Sequence, residues 1–171
     1  PDSLTAIILS THDETDLIPL LESIRDQDFE GGKTAIVMLC GHNPGAVQQQ
    51  AIRITEWQKA NKSSLGVRRY ALSGTFGPGY LANMGVGLAT TESVIVIDGR
   101  CRLTDPDALG LLAGLSANAG IATVSGTLVS GQDHLASGLG LTRDAEGTEC
   151  LALDTRALTA RFSRLVAAPS P

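Results

Sequence analysis

Short, wholly apolar runs alternate with amphipathic segments along most of this chain. Runs such as 4–9 and 34–39 are too short for typical helices, and their composition is typical of strands buried on both faces. Between them, apolar residues recur at intervals of three and four, which places them on one side of a helix. This alternation predicts an α/β fold of three layers, α/β/α, with a mostly parallel central sheet.

The predicted elements follow one another without an internal repeat. The expected strands are 4–9, 34–39, 67–72, 93–97 and 121–129, with two further strand-like runs near Leu139 and Leu151. The expected helices are 15–27, 46–60, 80–89 and 106–117. Asp105 is the expected N-cap of the last helix, and Pro106 is its expected first residue. We expect the five main strands to form one sheet, with the helices packed on it.

Length and composition favour one domain over residues 1–171. A chain of 171 residues with 43 % hydrophobic and 18 % charged residues can bury a sizeable core and is not disordered. Its N-terminus, Pro1-Asp2-Ser3, has neither Met nor a basic segment, so it does not resemble a signal peptide. We therefore expect the chain to be a fragment of a longer one.

Charge and composition argue against nucleic acid as a partner and against a membrane span within this chain. The net charge is -5, only 4 % of the residues are aromatic, and the longest basic cluster is Arg68-Arg69. No apolar run approaches the about 20 residues of a membrane span. The three cysteines, Cys40, Cys101 and Cys150, match no zinc motif. They are typical of thiols in a reducing cytosol, so we expect a cytoplasmic protein.

Polar residues follow two of the predicted strands at the end where such sheets bind ligands. The segment 10–14 places hydroxyls, His12 and two carboxylates after the first strand. There Asp13 and Glu14 can equally serve as caps of the next helix. Asp98 closes the strand 93–97, where its carboxylate suits a cation, a ribose or the capping of a turn.

Five segments, in order, resemble the N-terminal half of the family 2 glycosyltransferases, which have the GT-A fold. Residues 6–14 resemble the family's opening strand with its "PTYNE"-type end, and 17–29 resemble the helix that follows. Residues 81–85 resemble "ARNxG", 92–98 resemble the "GexixfLDxD" strand, and 103–109 resemble its "LxPDAL" sequel.

The resemblance covers residues 4–115 and implies a half that binds a nucleotide-diphosphate sugar, with 116–171 beginning the acceptor half. The implied reaction is a hexosyltransferase-type transfer to an acceptor that the sequence does not identify. In the family a divalent cation, Mg²⁺ or Mn²⁺, bridges the DxD carboxylates and the diphosphate, where it stabilises a negatively charged leaving group. The nucleotide-sugar-binding residues implied by position are Thr11, His12, Asp13, Glu14, Cys40, Asn83, Asp98 and Arg100. No motif identifies a catalytic base.

Three positions depart from the family pattern. The Asp pair after the second strand is replaced by Leu39 and Cys40, and the Arg of "ARN" is Ala82. The DxD motif reads Asp-Gly-Arg from Asp98 to Arg100, and a hard cation prefers oxygen ligands. A metal held by Asp98 alone would bind weakly. Arg100 either binds the diphosphate directly, while Asp98 contacts a ribose or orients the guanidinium, or it pairs with Asp98 or a neighbouring surface acid and binds nothing.

Two other functions fit parts of the sequence. A chain that has lost these carboxylates can serve as a catalytically inactive scaffold or regulatory module. Alternatively, Gly77, Gly79 and Ala82 fit the G-x-G-x-x-A of a dinucleotide-binding unit, with Asp98 placed 21 residues after Gly77 to bind a ribose. That arrangement would indicate an NAD(P)-dependent oxidoreductase.

Overall fold

The computed structural model describes residues 2–13, 15–61, 65–91, 93–117, 121–125, 127–130, 133–137, 139–143, 149–153 and 166–169. The chain divides into two compact units, Pro1–Gly110 and Leu111–Pro171. The expected division into a nucleotide-sugar half, 4–115, and an acceptor half, 116–171, stays a prediction. No helix in the described ranges is long and apolar enough to cross a membrane.

The first unit alternates strands and helices in the predicted order. Its elements are β1 (Ser3–Ser10), α1 (Ile18–Arg25), β2 (Gly32–Leu39), α2 (Pro44–Ala60), β3 (Leu65–Ala71), α3 (Pro78–Leu88), β4 (Ser93–Asp98) and the start of α4 (Ala108–Ser116). The type of each predicted element is therefore confirmed here, and the bounds differ by three residues or fewer.

These four strands form one parallel sheet in the order β3-β2-β1-β4. The chain runs outward from β1 through β2 to β3, and it then returns to the other side of β1 for β4. Because such crossovers are right-handed, α1 and α2 cover one face of the sheet and α3 covers the other. In agreement, α2 contacts β2 and β3, whereas α3 contacts β1 and β2. The predicted α/β fold with helices on both faces of a parallel sheet is confirmed.

The core of this unit lies on the two central strands, which are buried along nearly their whole length. On the α3 face, apolar side chains from both strands pack around Leu81 of α3. The other buried members of this cluster are Ile7, Leu9, Ile36, Met38 and Cys40. Burying an apolar side chain of this size stabilises the fold by about 1.5–3 kcal/mol. This cluster therefore stabilises the packing of α3 against β1 and β2.

Polar side chains close the end of the sheet at which β2 begins. Lys33, which is 9 % exposed, donates hydrogen bonds from Nζ to the carbonyls of Arg25 (2.6 Å) and Gln27 (2.7 Å). The Gln27 amide donates to the carbonyl of Asp105 (2.8 Å) and accepts from the backbone N–H of Leu109 (2.9 Å). These bonds fasten the end of α1 to the start of α4.

Two helix starts differ from the sequence prediction. α1 begins at Ile18 rather than at residue 15, and the Ile18 N–H donates to the carboxylate of Asp16 (3.2 Å). α4 begins at Ala108 rather than at residue 106. Asp105 caps a turn before it, since its carboxylate accepts from the Asp107 N–H (3.0 Å). Caps of turns and caps of helices use the same residue types, which explains both displacements.

The second unit contains antiparallel strand pairs. They are β5 (Ile121–Ser125) with β10 (Val166–Pro169), β6 (Thr127–Ser130) with β7 (Asp133–Ser137), and β8 (Leu139–Arg143) with β9 (Glu149–Leu153). The strand-like runs near Leu139 and Leu151 are therefore confirmed as strands.

The expectation of a fifth strand, 121–129, in the main sheet is wrong. In the described residues β5 pairs with β10, and β4 is the last strand of its own sheet. Val94 and Val96 of β4 are correspondingly 38 % and 47 % exposed. An apolar run identifies a strand but not its partner, because apolar character is the same in either sheet.

Candidate functional site

The strand order reverses at one place in the main sheet, between β1 and β4. Open α/β sheets bind ligands beyond the carboxyl ends of their strands at such a switch point. Residues 11–13 follow β1 at this place, and residues 99–102 follow β4. The two strand ends adjoin directly, because the Gly99 N–H donates to the carbonyl of Leu9 (2.8 Å).

Gly99 makes this close approach possible. A Cβ atom at this position would lie 2.6 Å from Leu17 Cδ2 and 3.1 Å from the carbonyl oxygen of Leu9. Any larger residue would push the turn after β4 away from β1, so the site geometry requires glycine here.

Asp98 and Arg100 form a bidentate ion pair in that turn. Arg100 Nε donates to Asp98 Oδ1 and Nη2 donates to Oδ2, both at 2.9 Å. The backbone N–H of Arg100 also donates to Oδ1 (2.9 Å), and the N–H of Cys101 donates to the carbonyl of Asp98 (2.9 Å). The carboxylate thus caps the turn and holds the guanidinium at once. The side chains remain 43 % and 62 % exposed.

The electrostatics of the turn favour a permanently charged pair. The guanidinium hydrogen bond holds the pKa of Asp98 below its usual range against the effect of partial burial, and the backbone N–H of Arg100 acts in the same direction. The bond to Asp98 in turn raises the pKa of Arg100. Burial and the Asp98 charge raise the pKa of the Cys101 thiol, so this cysteine is not an activated nucleophile.

Asp13 joins the loop after β1 to the loop after β2. Its carboxylate accepts from the backbone N–H of Asn43 (3.2 Å) and lies directly against Gly41, where a Cβ atom would overlap it. Asn43 is the N-cap of α2, since its side chain accepts from the N–H groups of Gly45 (2.9 Å) and Ala46 (3.3 Å). The alternative that Asp13 caps α1 is wrong, because its carboxylate is directed to the start of α2.

Gln50, which the sequence pattern did not identify, anchors the same loop. Its Nε2 donates to the carbonyls of His12 (3.4 Å), Asp13 (3.2 Å) and Thr15 (2.9 Å), and its Oε1 accepts from the Ser10 hydroxyl (3.2 Å). Gln50 lies on the buried stripe of α2. A polar side chain on an apolar stripe needs buried partners, and this was the available signal.

Cys40 lies at the same edge of the sheet but presents no exposed thiol. Its N–H donates to the carbonyl of Ser10 (3.0 Å), and its Sγ is 3.9 Å from the carbonyl of Phe76. The Phe76 ring stacks on Tyr80 with centroids 5.1 Å apart, and Tyr80 is 55 % exposed. Phe76 is one of the side chains packed against the cluster that contains Cys40, and Cys40 takes the position at which the family pattern has a carboxylate.

The structure places most of the expected site residues around the ends of β1, β2 and β4. Direct bonds join these three strand ends, and residues 11–13 lie between them. Asn83 is different, because it is exposed on α3 and its side chain has no hydrogen-bond partner among the described residues. Glu14 lies outside the described residues.

The residues at this edge do not fit a divalent cation. Asp98 is the expected metal ligand, yet Oδ1 accepts two hydrogen bonds and Oδ2 accepts one from the guanidinium. The described ranges contain no group of three or more His, Cys, Asp or Glu side chains that could hold a metal. Mg²⁺ binds oxygen ligands in near-octahedral geometry, and this turn supplies one carboxylate that is already engaged.

The sequence matches neither a protein-family model nor a curated protein. Solved structures nevertheless share the fold. TarS of S. aureus, residues 1–349 in complex with UDP-GlcNAc, is 23 % identical over 67 % of this chain and 31 % of that chain, with a TM-score of 0.50. The mannosyltransferase PcManGT from Pyrobaculum calidifontis, in complex with GDP-Man and Mn²⁺, is 18 % identical over 75 % and 36 %, with a TM-score of 0.55.

The chain spans less than half of the length of these proteins, from 19 % of a longer TarS chain to 42 % of a TarS 1–349 chain. At sequence identities of 18–23 %, this structural similarity supports a shared fold and does not assign an activity. The parallel four-stranded sheet with helices on both faces is a fold that this chain shares with these GT-A-type glycosyltransferases.

Proposed function

We propose that this chain is the nucleotide-sugar-binding part of a glycosyltransferase of family 2, of the hexosyltransferase type. One observation carries the proposal: polar groups at the ends of β1, β2 and β4 meet at the switch point of a GT-A-type sheet. A sheet edge of this kind is the usual ligand site of open α/β folds. The proposed binding residues are Thr11, His12, Asp13, Glu14, Cys40, Asn83, Asp98 and Arg100.

The chemistry of this edge suits a nucleoside diphosphate. The guanidinium of Arg100 supplies a cation for the diphosphate, and the loop 11–13 supplies a hydroxyl, an imidazole and backbone groups beside it. Such sites combine a few fixed polar groups with apolar walls. Here Gln50 fixes the loop, and the stacked rings of Phe76 and Tyr80 provide the apolar wall next to Cys40.

Ligands of the structural neighbours support the same class of substrate. TarS 1–349 is solved with UDP-GlcNAc and with UDP, and the mannosyltransferase is solved with GDP-Man. These ligands have a nucleoside diphosphate in common, and they differ in base and sugar. We therefore propose a nucleotide-diphosphate sugar as donor without assigning its base, its sugar or the acceptor. A cytosolic location fits the free thiols of Cys40 and Cys101.

The dinucleotide-binding alternative conflicts with the sheet order. In that motif the strand before the glycines lies beside the strand that ends in the acidic residue. Here Gly77 and Gly79 follow β3, whereas Asp98 ends β4, and β2 and β1 lie between those strands. A Cβ atom at either glycine would also meet nothing within 4 Å, so no close packing requires them.

Calorimetric titration of the chain with UDP-GlcNAc, GDP-mannose and NAD(P)⁺, with EDTA or with MnCl₂, tests the proposal. We expect at least one nucleotide sugar to bind in one of the two conditions and NAD(P)⁺ to bind in neither. Binding of NAD(P)⁺ alone would indicate the oxidoreductase. Absence of all binding would indicate the inactive scaffold.

A further inference from the structure

We propose that Arg100, held by Asp98, binds the diphosphate of the nucleotide sugar directly and that no divalent cation takes part in this binding. The proposal rests on the proposed function and adds the chemistry by which the diphosphate is recognised. The family resemblance implies a metal between carboxylates at this position. The structure has an arginine in place of the second carboxylate, already bonded to the first.

The donor groups of Arg100 are divided between Asp98 and solvent. A guanidinium carries five N–H donors in a planar fork. Nε and one N–H of Nη2 are directed to the Asp98 carboxylate. The remaining N–H groups, both on Nη1 and one on Nη2, have no partner among the described residues, and the side chain is 62 % exposed. One N–H of Nη1 and one of Nη2 lie side by side at the end of the guanidinium, where they can donate to two oxygens of a phosphate.

The guanidinium is fixed before any ligand arrives. Its own backbone N–H and its side chain bond the same carboxylate, and the turn that carries both is closed by the bond from the Cys101 N–H to the Asp98 carbonyl. Gly99 fastens that turn to Leu9 of β1. Because the side chain is already ordered, anion binding costs less conformational entropy than it would for a free surface arginine.

A metal at the same place would have to displace this arrangement. Two of the bonds that occupy the Asp98 carboxylate come from the guanidinium, so a divalent cation there would lie next to a permanent positive charge. At about 4 Å, two such charges repel each other by several kcal/mol in the dielectric of a protein surface, and a single carboxylate offers little in return. The same repulsion is absent when the incoming group is an anion.

The direct test is the affinity for UDP and GDP, measured by calorimetry with excess EDTA and with MnCl₂. We expect the wild-type chain to bind one of them in EDTA, and MnCl₂ to change the affinity by less than about twofold. Arg100→Ala should weaken binding in EDTA by about 10- to 100-fold, since a charged hydrogen-bonding group is lost. Arg100→Lys should restore part of it, because lysine keeps the charge without the fork.

Two further variants distinguish binding at Arg100 from non-specific attraction of the diphosphate to positive charges on the surface. Arg102→Ala removes another exposed arginine two residues away and should leave the affinity within about twofold, because Arg102 is not bonded to Asp98. Arg100→Asp recreates the carboxylate pair and should abolish binding in EDTA. Circular dichroism and the urea midpoint of each variant check that it is folded.

Three outcomes would overturn the proposal. In the first, wild type binds UDP or GDP only when MnCl₂ is present. In the second, Arg100→Ala binds as tightly as wild type in EDTA. In the third, Arg102→Ala loses as much affinity as Arg100→Ala does. The first leaves the proposed function standing with a metal site. Failure of wild type to bind any nucleoside diphosphate in either buffer would overturn the proposed function as well, so the two failures are distinct.

Discussion

The amide of Gln50, on the buried side of α2, accepts a hydrogen bond from the hydroxyl of Ser10, the last residue of β1 (3.2 Å). The same amide donates to three carbonyls of the loop that follows β1. One side chain of a neighbouring helix thus determines the path of the backbone at the centre of the candidate site.

Replacing Gln50 should therefore affect both stability and binding. We expect Gln50→Leu to lower the free energy of unfolding by about 1–3 kcal/mol, because partly buried carbonyls and the buried Ser10 hydroxyl lose their partner. It should also weaken nucleotide affinity, since the carbonyls of His12, Asp13 and Thr15 are no longer fixed. Gln49→Leu, at an exposed position of the same helix, should change the free energy of unfolding by less than about 0.5 kcal/mol. Equal effects of the two variants on urea midpoint and affinity would contradict the anchoring role.

Two glycines of α3 should respond to alanine in opposite ways. A Cβ atom at Gly85 would clash with the Ile7 side chain, whereas one at Gly87 would meet nothing within 4 Å. We expect Gly85→Ala to destabilise the fold by about 1–3 kcal/mol through overpacking. Gly87→Ala should stabilise it by up to about 1 kcal/mol through helix propensity. Urea denaturation measures both, and a stabilising Gly85→Ala would show that α3 does not lie against β1 as described.

Lys33 offers a test of stability without an effect on binding. Its ammonium bonds two carbonyls at the end of the sheet opposite the candidate site. We expect Lys33→Met to lower the free energy of unfolding by about 1–3 kcal/mol and to leave nucleotide affinity unchanged. Lys59→Met, at an exposed position of α2, should change neither. A loss of affinity in a folded Lys33→Met variant would contradict the placement of the site.

The ion pair of Asp98 and Arg100 should make the stability of the fold depend on pH in the acid range. The hydrogen bond from Arg100 holds the pKa of Asp98 below its usual range. Because the folded pKa is lower than the unfolded one, the stabilisation is complete above the unfolded pKa, near 3.9, and is lost as the pH falls through the folded pKa. Carbon-13 NMR titration should show a pKa of Asp98 below that of an ordinary aspartate in wild type, and a pKa closer to that of an ordinary aspartate in Arg100→Ala. An Asp98 pKa that is unchanged by the substitution would contradict the pairing.

The sequence predicted the local elements well because their signals are local. Apolar runs and helical stripes identified every strand and helix of the first unit, since burial of β1 and β2 on both faces requires them. Which strand pairs with which is not determined by the local sequence. The run 121–129 therefore suggested a fifth strand of the main sheet, whereas β5 pairs with β10, more than forty residues further along the chain.

The candidate site was predicted as positions but not as contacts. Motif order identified Asp13, Asp98 and Arg100, and strand direction indicated that they lie at one edge. Sequence reasoning left open whether Arg100 pairs with Asp98, and the structure shows this pair. It also missed Gln50, whose role depends on a loop that lies 35 to 40 residues away in the chain. Long-range hydrogen bonds of this kind leave no periodic signal.

The central claim is that the ends of β1, β2 and β4 form a site that binds a nucleoside diphosphate without a metal. The most direct test follows the amide chemical shifts of the chain as UDP is added in EDTA. The account predicts the largest shifts at residues 11–13, 40–43 and 99–101, where the ends of β1, β2 and β4 meet. The amides around Lys33, Gln27 and Asp105, at the opposite end of the sheet, should not move. Shifts confined to that opposite end, or no shifts at a saturating concentration of UDP, would contradict it.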